Sequence, residues 1–263
     1  MDIAGNTVTE TLTGQTYRLE DRNLPMQIVG GEGNAWRTDG YTSHLTGHMP
    51  EITDGNTLTA RVLLAVDTYH IISHDNPDGN NRRVEIVGCL DDAARTGYGF
   101  YMGRTGQYSF RVYVGGSLVS VEAPDRVPLW EWTELTGTVD GTEVRLYRNG
   151  TLVSSATASG SGVRVGPAPL RIGRGNGGET LGGADLSTFN GAFDEISVSD
   201  NVEVRNFSAR YADLNIPADR YAADRMRARY HGQPGMNWTN ETHGLYYNDA
   251  DGMHFSRRQA RRP

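Results

Sequence analysis

The stretch Trp132 to Val153, WTELTGTVDGTEVRLYRNGTLV, constrains the fold more than any other part of the chain. Val139, Val144, Leu146, Leu152 and Val153 supply apolar anchors. Thr133, Glu134, Thr138, Glu143, Arg145 and Arg148 supply the polar positions between them. A period near two is what a half-buried antiparallel strand needs. Asp140-Gly141 and Asn149-Gly150 fall at the two reversals, and both pairs tolerate the positive φ of primed hairpin turns. The period recurs upstream, where Leu58, Ala60, Val62 and Leu64 share one face while Thr57, Thr59 and Arg61 face away. It returns in Phe110, Val112 and Val114. With 33 glycines in 263 residues and few helical spacings, the expected fold class is all-β, two sheets packed as a sandwich or jelly roll.

Composition narrows the function. The net charge of −7 argues against a nucleic-acid partner. Charge is uneven: residues 1–215 hold 17 arginines against 27 acids, and residues 216–263 hold 8 against 5. All 25 basic residues are arginine. A single cysteine, Cys89, rules out an internal disulfide and reads as a small buried thiol. No apolar stretch approaches the length of a membrane-spanning helix, so no membrane partner is expected. The N-terminal MDIAGNTVTE has no signal-peptide character, which leaves either an internal protein or one whose true start has been removed.

Several segments, taken together and in order, resemble a laminin-G-like domain of the concanavalin A-like lectin/glucanase type. They are Ala35-Trp36-Arg37-Thr38-Asp39-Gly40-Tyr41, Trp132, Asp140-Gly141 and Leu146-Tyr147-Arg148-Asn149-Gly150. Leu170-Arg171-Ile172-Gly173 and Phe189-Asn190-Gly191-Ala192-Phe193-Asp194-Glu195 complete the set. The resemblance implies a concanavalin-type jelly-roll β-sandwich over residues 27–204, after an N-terminal lead-in of residues 1–26. Trp132 matches that family's core tryptophan. Such domains often hold structural calcium at the sandwich rim, and the metal candidates are Asp39 and Asp194. Simple alternation puts Ala192, Asp194, Ile196 and Val198 on one side, so a carboxylate stands in the apolar stripe. A carboxylate there needs a metal, a pair or hydrogen bonds, and the alternative to calcium is that Asp194 caps backbone amides at a sheet edge. Trp130 stands where the family has a small or polar loop residue. It is either a stacking platform for a sugar ring or a rim residue covering the core.

Beyond Val204 the alternation fades, and Arg220, Arg225, Arg227 and Arg229 lie close together. Arg227, Tyr230, His231, Pro234, Trp238, Asn240, Gly244 and Leu245 resemble the opening of glycoside hydrolase family 32, five-bladed propellers acting on fructans and sucrose. The resemblance implies that Glu241 stands at the catalytic nucleophile's position, one methylene longer than the family's aspartate. Trp238 and Asn240 would then sit in the substrate pocket, and His243 is either a loop residue or a sugar contact. A propeller needs a few hundred residues, so residues 205–263 are expected to be a linker and a truncated propeller start. MHFSRRQARRP shows no alternation and reads as a frameshifted or prematurely ended frame. The expected function is therefore an accessory carbohydrate-associated sandwich of a fructan-type glycosidase, the chain alone being inactive. The alternatives are a stand-alone carbohydrate-binding module or a non-catalytic adhesion and packing domain. A polysaccharide partner such as fructan, a monomeric state and an extracellular or periplasmic location of the full-length protein complete the expectation.

Overall fold

The computed structural model describes residues 2–4, 7–9, 16–19, 26–40, 43–47, 52–69, 83–103, 105–166, 168–175, 180–181, 184–185, 188–215, 238–248 and 252–260. All regular structure among them is strand. The strands are β1 (Asp2–Ala4), β2 (Thr7–Thr9), β3 (Thr16–Leu19), β4 (Met26–Val29), β5 (Asn34–Arg37), β6 (Leu45–Gly47), β7 (Ile52–Gly55) and β8 (Thr57–Val66). There follow β9 (Arg83–Gly88), β10 (Tyr98–Gly103), β11 (Gln107–Val114), β12 (Ser117–Arg126), β13 (Glu131–Asp140), β14 (Glu143–Arg148), β15 (Thr151–Thr157) and β16 (Val163–Val165). The last are β17 (Leu170–Ile172), β18 (Thr180–Leu181), β19 (Ala184–Asp185), β20 (Gly191–Ser199), β21 (Arg210–Tyr211), β22 (Trp238–Asn248) and β23 (Gly252–Ala260).

Two antiparallel sheets form the sandwich. One runs β1-β2-β3-β6-β17-β9-β10-β11-β16-β7, with β12 also on β11. The other runs β15-β14-β13-β8-β20-β5-β4, with β21 on β13. The core lies between them, because Leu58, Val62 and Leu64 of β8 face Phe100, Phe110 and Val112 of the opposite sheet across fully buried ground. Rings fill its width: Phe100 lies 5.0 Å from Phe110, Phe189 4.7 Å from Phe193, and Trp36 stacks on Phe193 at 6.0 Å. Gly137 sits opposite Ala60 and has no side chain because the Phe110 ring occupies the place its Cβ would take.

The central hairpin forms as its alternation predicts, with three corrections. Asn149 and Gly150 both take positive φ, 52° and 83°, as a primed turn demands. Asp140, however, pairs with Glu143, so the first reversal is Gly141-Thr142, with Gly141 at φ 62°. A shift of register between Leu146 and Tyr147 sends Leu152 outward, 52% exposed, and leaves Val153 on the core. Thr133, Glu134 and Thr138 are buried rather than solvated.

The third correction has a clear cause: β8 and β13 are covered on both faces. Leu63, Ala65, Trp132 and Ala192 point away from the inter-sheet core and form a second, smaller core with Ile28, Ala35, Ala212 and Leu214. Trp132 is therefore a core tryptophan of this outer layer. Further along the same face, Thr59 Oγ1 donates to the Asn201 carbonyl at 2.6 Å and accepts from the Glu203 amide at 3.0 Å. Residues remote in sequence thus lie across a face that alternation alone assigns to water.

Candidate functional site

One end of the second sheet gathers the C-terminal ends of β5 and β8 with the N-terminal ends of β13 and β20. Trp130, just before β13, takes φ 56°, a left-handed conformation that costs a bulky residue about 1–3 kcal/mol. Its main chain is held on both sides: its amide donates to the Val66 carbonyl at 2.8 Å, and its carbonyl accepts from the Ala212 amide at 2.9 Å. The indole Nε1–H donates to Asp67 Oδ1 at 2.9 Å. Asp67 Oδ2 accepts from Arg37 Nη2 at 3.2 Å, and Arg37 Nε donates to the Leu214 carbonyl at 2.6 Å. Asp67 and Arg37 are both buried, so the pair is desolvated and fixed. The neighbouring chain is fixed too, with the Asp67 amide donating to the Asn190 carbonyl at 3.0 Å and Asn190 Nδ2 to Thr68 Oγ1 at 2.8 Å.

The result is an indole whose polar edge is tied to a buried ion pair while 48% of the residue faces water. An immobilised ring gives up little rotamer entropy when something stacks on it. Its apolar face suits a flat surface of C–H groups, such as a sugar ring presents. Spacing in the sequence could flag Trp130, but not Asp67 or Arg37, which join it only through the fold.

The two metal candidates are not brought together. Thr38 pairs with Gly191 and Trp36 with Phe193, so Asp39 falls beside Asn190 and Asp194 beside Ala35, roughly 13 Å apart along the strand. Asp39 Oδ1 accepts from the Ser43 amide at 2.9 Å, and Asp194 Oδ2 from the Glu32 amide. A bulge between Phe193 and Ile196 breaks the alternation, so Phe193, Ile196 and Val198 face the main core and Ala192 faces the outer one. Asp194 thus leaves the apolar stripe and takes the amide-capping position; burial raises its carboxyl above the ordinary range. The pair does not fit one shared calcium ion, and among the described residues no group of three or more His, Cys, Asp or Glu is placed to hold a metal.

Trp238, Asn240 and Glu241 lie on β22, which pairs with β23 in a separate two-stranded sheet. Gly252–Ala260, expected to lack strand character, pairs along its length. The register sets Leu245 opposite Phe255, Tyr247 opposite Met253 and Glu241 opposite Arg258. Asn240 falls in a register shift between Thr239 and Glu241. Arg220, Arg225, Arg227, Arg229, Tyr230, His231 and Pro234 lie outside the described residues. Cys89 is buried, as expected, and burial pushes its thiol up to about 11, away from nucleophilic use.

A sequence search of curated proteins gives no match. The fold is similar to the binding domain of Paraclostridial Mosquitocidal Protein 1, at 12% identity and a TM-score of 0.55 over 78% of this chain; the match spans 48% of that protein's chain. It is also similar to domain 4 of AbnA, a GH43 extracellular arabinanase from Geobacillus stearothermophilus solved with arabinotriose. That match has 15% identity and a TM-score of 0.50, covering 72% of this chain and 84% of that one. The family model of the concanavalin A-like lectin/glucanases superfamily matches residues 38–203, which takes in β6 to β20 and Trp130, and the chain belongs to that family.

Proposed function

We propose that the sandwich is a saccharide-binding module and that Trp130 is its stacking platform. One observation carries this reading: a half-exposed indole is held in a strained backbone conformation and anchored to a buried ion pair. A residue that merely caps the core gains nothing from φ 56°, whereas a binding ring gains a fixed aspect. The arabinotriose bound by the similar AbnA domain supports the same class of ligand.

In its finer form, the module is an accessory domain that tethers a glycoside hydrolase, of fructan type, to its polysaccharide outside the cell. The family 32-like run through Trp238, Asn240 and Glu241 motivates that form. Glu241 would be the nucleophile of a propeller; a glycosidase needs a second carboxylic acid roughly 5 Å away if it retains configuration, and Arg258 is what the register sets opposite Glu241. In this reading the hairpin register supplies no second carboxylate for Glu241, and the role assigned to the sandwich is binding.

Affinity electrophoresis of the full chain through gels containing inulin, levan, arabinan or xylan tests the proposal. Retardation in at least one gel, lost in Trp130→Ala, is the expected result. Equal mobility of both proteins in every gel overturns it.

A further inference from the structure

We propose that the outer face of the first sheet is a second binding site, for a short carboxylate-bearing saccharide such as a uronate oligomer, centred on Tyr101 between Arg111 and Arg171. The register builds it. Tyr101 stands between Glu85 and Ser109, and Gly99 between Gly88 and Arg111. Arg171 stands on the far side of Gly88. These residues point away from Val84, Phe100, Phe110 and Ile172, which face the core.

Two glycines in the middle of one cross-strand row make room for neighbours, the Glu85 carboxylate leaning over Gly88 and the Tyr101 ring over Gly99. A Cβ at Gly99 would lie 3.0 Å from the Tyr101 hydroxyl, so the phenol lies along the sheet instead of standing up from it. The Arg111 guanidinium carbon sits 5.4 Å from the Tyr101 ring centre. Tyr101 is only 8% exposed, and Arg111 and Arg171 are half-buried, so the face is recessed.

The arginines set the ligand chemistry. Arg37, Arg145, Arg148 and Arg205 all hydrogen-bond carboxylates, whereas Nε of Arg111 and Nε of Arg171, like that of Arg61 on the other sheet, are buried without a hydrogen-bond acceptor among the described residues. A guanidinium edge shut off from water is a costly arrangement unless an anion completes it. Its planar fork fits a carboxylate. Three strand spacings separate the two arginines, roughly 14 Å, which fits successive acidic sugars better than one small acid.

The rest of the face selects against a compact dianion. Glu85 and Glu122 share the Tyr101 row, and Asp92 accepts from the Tyr113 hydroxyl at 2.7 Å nearby. Carboxylates so placed repel any anion set over the Tyr101 row, so the ligand's own carboxylates must fall on the arginine row, spaced apart as in an oligomer rather than gathered as in phosphate.

Isothermal titration of the full chain with trigalacturonic acid, maltotriose and inorganic phosphate tests this, beside ¹⁵N chemical-shift mapping of the unmutated protein. Trigalacturonic acid should bind, more weakly as salt rises, and shift resonances of Tyr101, Arg111 and Gly99. Arg111→Gln and Arg171→Gln should each weaken it at least tenfold with thermal melts unchanged, while Trp130→Ala leaves it intact. No binding of trigalacturonic acid, equal binding of maltotriose or phosphate, or shifts confined to the Trp130 rim would each overturn the second site. Loss of polysaccharide retention in Trp130→Ala with trigalacturonic acid still bound separates the two sites.

Discussion

Glu134 is fully buried on the outer face of the second sheet, and Arg205, about seventy residues later, reaches across to bond its carboxylate. The same guanidinium holds Glu195 at 2.5 Å, and Arg61 stands 3.7 Å from Glu134 on the other side. Burial pushes the Glu134 carboxyl up, and the two arginines pull it back. This cluster straps residues 200–207 onto β8 and β13, where a sandwich with a solvated outer face would have nothing.

Arg205→Ala should therefore strand a buried charge. The expected cost is about 3 kcal/mol, the low end for breaking a buried pair because Arg61 remains. Urea denaturation measures it. Arg145→Ala, on a half-exposed pair with Glu143, should cost no more than about 1 kcal/mol.

Gly137→Ala should destabilise as well. The added methyl meets the Phe110 ring in the middle of the core, and overpacking of this kind costs roughly 1–3 kcal/mol. A fall in the urea midpoint at constant slope checks it; an unchanged midpoint shows that the ring can move aside.

Asp194 gives a pH dependence of defined sign. Its carboxyl is raised by burial, so the folded state holds the proton more tightly than the unfolded chain does. The stability it contributes is present below its unfolded value near 3.9, about the ordinary aspartate range, and is lost as pH rises through the folded value. Asp194→Asn should raise Tm at pH 7, and the gain should shrink to nothing below about pH 4. A loss of stability at pH 7 would mean that the Glu32 amide needs the charge.

Trp130→Gly should separate stability from binding. Glycine accepts φ 56° freely, so relief of strain offsets the lost packing and the melting curve should move little. A large loss of stability would show that the indole is there to cover the core.

The inner faces were legible because a period of two survives in β8, β11 and β14. The Asn149-Gly150 turn was legible because its chemistry is local. The outer faces were not. Thr59, Arg61 and Glu134 look like solvent positions, and only partners such as Glu203 and Arg205 bury them. The stripe through Ala192, Asp194, Ile196 and Val198 fails at one bulge, which shifts the residues after it to the opposite face, while the amide-capping reading of Asp194 needs only its local bond to Glu32. Trp130 was visible as a ring, but its anchor in Asp67 and Arg37 needed three strand ends to meet. Arg111 and Arg171 are 60 positions apart in sequence and become one row only through two intervening strands.

Indole resonances of the ¹⁵N-labelled full chain, titrated with the polysaccharide fragment that retards it most, test the central claim most directly. The Trp130 Nε1–H signal, assigned by its loss in Trp130→Ala, should shift saturably while those of the buried Trp36 and Trp132 stay in place. A saccharide that binds and leaves the Trp130 signal unmoved would contradict the account.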